Sequence, residues 1–189
     1  MAEVVLFHHA QGLTAGVRAF ADRLREAGHT VHTPDLFAGR TFDSVEEGVD
    51  HARSLGFDAV REAGVAAAQD LPAEIVYAGF SLGVMPAQQL AQTRTGARGA
   101  LLLDSCLPAE EFGTWPAGLR AQVHGSVSDE WFEEDLPFAR ELAETNPTVE
   151  LFTYEGPGHL FADSSVASYD EAAAAVLLER VLGFLGSVG

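Results

Sequence analysis

"AGFSLGVMPAQQLAQ", residues 78–92, sets a serine between two glycines where an apolar run gives way to a segment with helical spacing. The G-x-S-x-G match decides little by itself. With 19 glycines in 189 residues, chance supplies one in roughly one such chain in ten. Its setting carries more weight. The preceding "EIVYAGF" has the β-branched and aromatic composition of a strand, and "LGVMPAQQLAQ" reads as a helix with Pro86 near its start, where proline costs little. Ser81 therefore falls at a strand-to-helix turn, which holds a hydroxyl up at the carboxyl edge of a sheet. The backbone N–H of Leu82 would point from the helix start at negative charge developing beside Ser81.

Outward from this turn, short apolar runs recur at 4–8, 30–33, 74–78, 100–103, 120–124 and 149–154. Helical stripes lie between and after them. Leu13, Val17, Phe20, Leu24 and Ala27 step by three and four before Gly28, and Leu177, Leu178, Val181, Leu182 and Leu185 draw a second stripe. Strands alternating with helices predict one α/β domain over residues 1–189, with a mostly parallel six-stranded sheet and helices on both faces. Strand order 2-1-3-4-5-6 would put a topological switch point between strands one and three. Residues 44–71 are expected to be helical with a break near Gly56 or Gly64. "LPAEEFGTWPAG" is expected to be a loop, and "EEDLPFAR" suggests a helix starting near Pro137. The short connections leave no room for a large lid.

A serine nucleophile needs a base, and the base needs an orienting acid. Of the seven histidines, His159 in "YEGPGHLFAD" follows the last strand on a glycine- and proline-rich loop, where it can reach the sheet's carboxyl edge. His29, His32 and His124 lie in or beside strands and read as structural imidazoles. Asp129 in "HGSVSDEW" follows the fifth strand, and the order Ser81, Asp129, His159 suits this class of fold. Asp104 in "LLLDSC" is a rival acid, since it ends the fourth strand and also precedes the histidine. Asp129 is preferred because its loop neighbours that of His159 if successive strands are adjacent. The loop after strand one, "HHAQG", would lie beside the serine and offer the N–H of Ala10 as a second oxyanion donor. Adjacent His8 and His9 point to opposite faces of a strand, so no metal site is expected, and His9 is assigned to a pocket wall. Phe37, Trp131 and Phe161 are further candidate walls.

The bulk composition narrows the partners. Of the chain's residues, 47% are hydrophobic and 21% charged, as in ordinary globular proteins, and no apolar run is long enough to cross a bilayer. "MAEVVLFHH" lacks a basic leader region and reads as a first strand, so a cytoplasmic location is expected. The net charge of −17 arises from 28 acids against 11 bases, every base an arginine. Such a field repels nucleic acid and anionic lipid, and the absence of lysine rules out Schiff-base chemistry. Cys106 is the only cysteine, so no internal disulfide can form and a buried or half-buried free thiol is expected. A small-molecule substrate, no cofactor, and a monomer or small homo-oligomer complete the expectation.

Four stretches together resemble the dienelactone hydrolase branch of the α/β-hydrolases: "TPDLFAG" after the second strand, "GFSLG" at the turn, "HGSVSDEWF" at the acid and "YEGPGHLFADSS" at the histidine. They occur in order and at similar spacing over nearly the whole chain. The resemblance implies hydrolysis of small esters or lactones through an acyl-enzyme, without metal or organic cofactor, by Ser81, Asp129 and His159. It also exposes departures. The well-known dienelactone enzymes carry a cysteine at the turn, a glutamate in the first loop and an arginine shortly after the histidine. Here those places hold Ser81, His9 and Asp163. An aspartate facing the substrate would repel a carboxylate, which favours a neutral ester, thioester or lactone over dienelactone itself. An acyltransferase or perhydrolase with the same triad, and a non-catalytic binding module on the same fold, are the alternatives.

Overall fold

The computed structural model describes residues 1–189 as six strands and six α-helices, two helices in succession joining the second strand to the third and a loop with a short 3-10 turn joining the fourth to the fifth. The strands are β1 (Glu3–Phe7), β2 (Thr30–His32), β3 (Val76–Phe80), β4 (Gly99–Leu103), β5 (Ala121–Ser126) and β6 (Val149–Tyr154). All pair in parallel, in the order β2-β1-β3-β4-β5-β6. The chain thus reverses direction across the sheet between β1 and β3, which is the switch point expected from the sequence. The central strands β3 and β4 are buried along their whole length, so their residues are apolar or small without alternation.

The helices are α1 (Ala15–Glu26), α2 (Val45–Leu55), α3 (Phe57–Ala67), α4 (Val84–Thr93), α5 (Glu130–Thr145) and α6 (Glu171–Val188). Successive strand residues face opposite sides. Val4 and Leu6 of β1 pack with Val17, Phe20 and Leu24 of α1 and with Leu177, Val181 and Leu185 of α6, following the two stripes read from the sequence. Val5 and Phe7 face the other way, into a second core with Val84, Ala87 and Leu90 of α4 and Phe132, Ala139 and Leu142 of α5. Cys106 is buried in that second core, and burial pushes its thiol up to about 12, so it is an inert filler. The break in residues 44–71 falls at Gly56; Gly64 lies within α3.

One helix boundary differs from expectation. α5 starts at Glu130, with Asp129 as its N-cap accepting from the Trp131 N–H, and Pro137 lies inside it. A proline there removes one intrahelical bond. Pro137 and Glu133, whose carbonyl loses that bond, both lie on the solvent side, where water can satisfy it. The capping signal at Asp129 outranked the proline signal.

Candidate active site

The turn between β3 and α4 is built by sterics. Ser81 has φ of +47°, a left-handed conformation that costs a serine roughly 1–2 kcal/mol. Its two glycines permit the turn to close. A Cβ on Gly79 would lie 2.2 Å from the carbonyl oxygen of Gly83, and one on Gly83 would lie 2.5 Å from that of Phe7. The spacing therefore reflects backbone packed on backbone, with the Ser81 hydroxyl left partly exposed at the sheet edge.

Two loops from the far side of the sheet meet that hydroxyl. Ser81 Oγ lies 2.8 Å from His159 Nε2, and His159 Nδ1 lies 2.6 Å from Asp129 Oδ2. Asp129 is nearly fully buried, and its other oxygen caps α5, so the carboxylate is held from two directions. With Nδ1–H donated to the carboxylate, Nε2 carries the lone pair and accepts from the serine hydroxyl. The loops after β5 and β6 are stitched together. The Ser126 hydroxyl donates to the Pro157 carbonyl at 2.5 Å, and the Gly156 N–H donates to Ser128 Oγ at 3.1 Å. Trp131 lies over this junction, 43% exposed, its ring 5.9 Å from the imidazole. Asp135 of α5 holds the loop after β4 by accepting from Ser105 Oγ at 2.6 Å and from the Cys106 N–H.

On the other side of Ser81 lies the loop after β1. The N–H of Ala10 donates to no backbone or side-chain acceptor, so it is available at the site. Leu82 is in the first turn of the helical segment, where N–H groups have no intrahelical acceptor.

Several side chains assigned to the pocket from sequence stand elsewhere. Phe161 is fully buried, packed on Tyr154 in the core under α1 and α6, and is no wall. Phe37 is buried with Ala52 and Val60 beneath α2 and α3, and stacks edge-on to His8. His8 and His9 turn to separate partners. The ring of His8 accepts from the Leu36 N–H and donates to the His9 carbonyl, and burial lowers it to about 4, so it stays neutral. No three His, Cys, Asp or Glu side chains converge as metal ligands would.

His9 is fully buried and so is no exposed pocket wall either. Its Nδ1 accepts from the Gln11 N–H, and its Nε2–H donates to Asp163 Oδ2 at 2.7 Å. Asp163 in turn accepts from the Thr14 hydroxyl at 2.5 Å and from the N–H and hydroxyl of Ser165 at 2.7 and 2.6 Å. Burial alone would raise Asp163; the bonds from His9, Ser165 and Thr14 outweigh it and hold the carboxyl down at about 2. Asp163 therefore does not face substrate, and the carboxylate repulsion expected from it falls away. Its bonds join the loop after β1 to the loop of His159 and to Thr14, which caps α1 through the Val17 N–H. The sequence did hold a cue: "ADSS" has aspartate two residues before a serine, the pattern of a side chain that caps its own turn.

A model of the dienelactone hydrolase family matches residues 1–189, the full length of the chain. The chain belongs to the dienelactone hydrolase family. The family is one of hydrolases that act on esters, and this chain is a hydrolase of that class. Similar solved structures include a dienelactone hydrolase-like promiscuous phosphotriesterase from metagenomic libraries, 17% identical over all of this chain and 87% of its own, with a TM-score of 0.77. A protein described as a dienelactone hydrolase from Klebsiella pneumoniae is 15% identical, covering 98% of this chain and 87% of its own, at a TM-score of 0.73. Esterase 2 of Thermogutta terrifontis, solved with propionate bound, is 21% identical over all of this chain and 84% of its own, at 0.63. No curated protein sequence matches the chain. At these identities the structures speak for the fold alone.

Proposed function

We propose that this member of the dienelactone hydrolase family is a serine hydrolase of small, uncharged carboxylic esters, thioesters or lactones. The observation that carries this reading is the continuous path from Asp129 through both nitrogens of His159 to the Ser81 hydroxyl, at 2.6 and 2.8 Å. Ser81 Oγ attacks the substrate carbonyl carbon while its proton passes to His159 Nε2. The N–H groups of Ala10 and Leu82 receive the oxyanion. Collapse expels the alcohol or thiol, which takes the proton from His159 and leaves an acyl-Ser81. Water then repeats the sequence, giving its proton to the same nitrogen, and releases the acid. Asp129 stays ionised and steadies the imidazolium at each stage.

Preference for an uncharged substrate now rests on the acids around the imidazole. Asp129 binds the imidazole directly, and Asp104 and Asp135 are close enough to it to interact by charge. A substrate carboxylate would be repelled by that negative charge. Trp131 supplies an apolar flank. The Thermogutta esterase has been captured phosphorylated by paraoxon, and the proposed Ser81 nucleophile would form the same kind of adduct.

Labelling with a fluorophosphonate probe tests the assignment. Native protein should take up one equivalent, and Ser81→Ala none; equal labelling of both would remove Ser81 as the nucleophile. Product analysis with competing alcohol or peroxide separates hydrolysis from acyl transfer or perhydrolysis. Loss of aryl-ester turnover in His159→Ala, against measurable turnover in the native protein, excludes a binding module.

A further inference from the structure

Asp104 is the first residue after β4, and its carboxyl is the one buried side-chain group with no hydrogen-bond partner on either oxygen. An ionised carboxylate left in that state is costly, so such a group calls for a reason. Its place in the sheet supplies one. β4 lies between β3 and β5, with Phe80 beside Leu103 and Leu103 beside His124. Ser81 follows β3 and Asp129 follows β5, so the imidazole that joins them must pass over the end of β4, where Asp104 stands. The backbone agrees: Asp104 has φ of +58° and Leu160, directly after His159, has φ of +63°. The Leu160 N–H approaches the Asp104 carboxyl and offsets part of its desolvation, without closing a hydrogen bond.

We propose that Asp104 is a positioning residue for His159, a second carboxyl beneath the imidazole that stabilises the imidazolium formed as Ser81 attacks. This rests on the triad reading above. Asp129 binds Nδ1 directly and sets the tautomer; Asp104 makes no bond to the ring and acts through its charge. The groups that face Asp104 or its immediate neighbours are few. From the loops come His159 and Asp129, with Tyr154 at the end of β6. His124 of β5, whose carbonyl accepts the Asp104 N–H, is neutral because burial lowers it to about 3. Arg180 of α6 acts on Tyr154 and His124, and Asp135 of α5 acts on His159. Burial pushes Asp104 up to about 7, with His159 pulling it down and Asp129 pushing it further up. Its charge therefore appears over the range in which the enzyme would work.

The test is the pH dependence of aryl-ester hydrolysis by wild type, Asp104→Asn and Asp104→Ala. The ratio of wild-type to variant kcat should be near one at pH 5 and rise to ~10 or more at pH 8, with KM unchanged. A ratio of one throughout, or a loss equal at all pH values, overturns the proposal, since a purely structural role would not follow the ionisation. A measurement on wild type alone guards against a misfolded variant: the carbon-13 NMR titration of the Asp104 carboxyl should have its midpoint near 7, and an ordinary carboxylate midpoint near 4 overturns the proposal. Ser81→Ala separates the levels of failure. If it keeps full turnover, the triad reading itself is wrong; if it is inactive while Asp104→Asn is unaltered, only the role of Asp104 is.

Discussion

Asp104→Asn should stabilise the protein at alkaline pH and destabilise it in acid. In the fold the carboxyl is fully buried and unpaired, and burial raises it from 3.8 to about 7. A carboxyl whose folded value is raised holds its proton in the folded state while the unfolded chain has released it. Stability therefore falls as pH rises from about 4 to about 7 and levels off above. That interval spans roughly three pH decades at about 1.4 kcal/mol each, so the penalty approaches about 4 kcal/mol at pH 8. Asparagine removes this term, but its amide is buried without partners, at a pH-independent cost of ~1–3 kcal/mol. The variant should thus be less stable than wild type near pH 4 and more stable, by ~1–3 kcal/mol, at pH 8. Urea unfolding of both proteins at pH 4, 6 and 8, followed by fluorescence of Trp115 and Trp131, measures the difference directly. A difference that does not change with pH would refute the claim that this carboxyl is held unpaired. A gain in stability joined to a loss of turnover is what a residue kept for function should show.

Other perturbations probe the remaining parts. Ser81→Gly should abolish turnover and probe labelling while thermal unfolding shows stability unchanged or raised by about 1 kcal/mol, since glycine accepts the positive φ. Gly83→Ala should cost ~1–3 kcal/mol in chemical unfolding, because its methyl would meet the Phe7 carbonyl at 2.5 Å, and activity should fall with the displaced serine. Asp129→Asn should lower kcat on the order of 10⁴-fold with little change in KM, as the imidazole loses its tautomer. Asp163→Asn should destabilise by ~2–3 kcal/mol at neutral pH, because His9, Thr14 and Ser165 lose the shared carboxylate acceptor that holds the group from 3.8 down to about 2, roughly two pH units at about 1.4 kcal/mol each. Asp163 is held down at about 2, so its contribution is full above about pH 4 and is lost as pH falls toward 2; acid unfolding of the variant should lack that step.

Periodicity and turn chemistry were sufficient to derive the architecture. Strands of two-sided apolar character, helices with stripes at three and four, and one reversal of strand order are local patterns, and a parallel α/β sheet admits few ways to join them. Ser81, Asp129 and His159 were legible for the same reason: each ends a strand on the same edge, so sequence order implied spatial neighbourhood, and their side chains do meet. The identities of pocket walls were not legible. Whether an aromatic faces solvent or core depends on the helix packed above it, so Trp131 stands at the site whereas Phe37 and Phe161 are buried.

The same distinction separates the two extra aspartates. Sequence by itself placed Asp104 at a strand end and Asp163 four residues beyond His159, and could assign neither its surroundings. Only the tertiary structure turned Asp163 inward to His9, more than 150 residues away in the chain, and left Asp104 buried without a partner. A local pattern fixes backbone conformation over a few residues; desolvation and pairing of a charge depend on what distant segments bring to it. The composition of this chain, rich in acids and without lysine, could say that charge matters here. Where that charge is satisfied, and where it is left unpaired beside His159, was decided by folding.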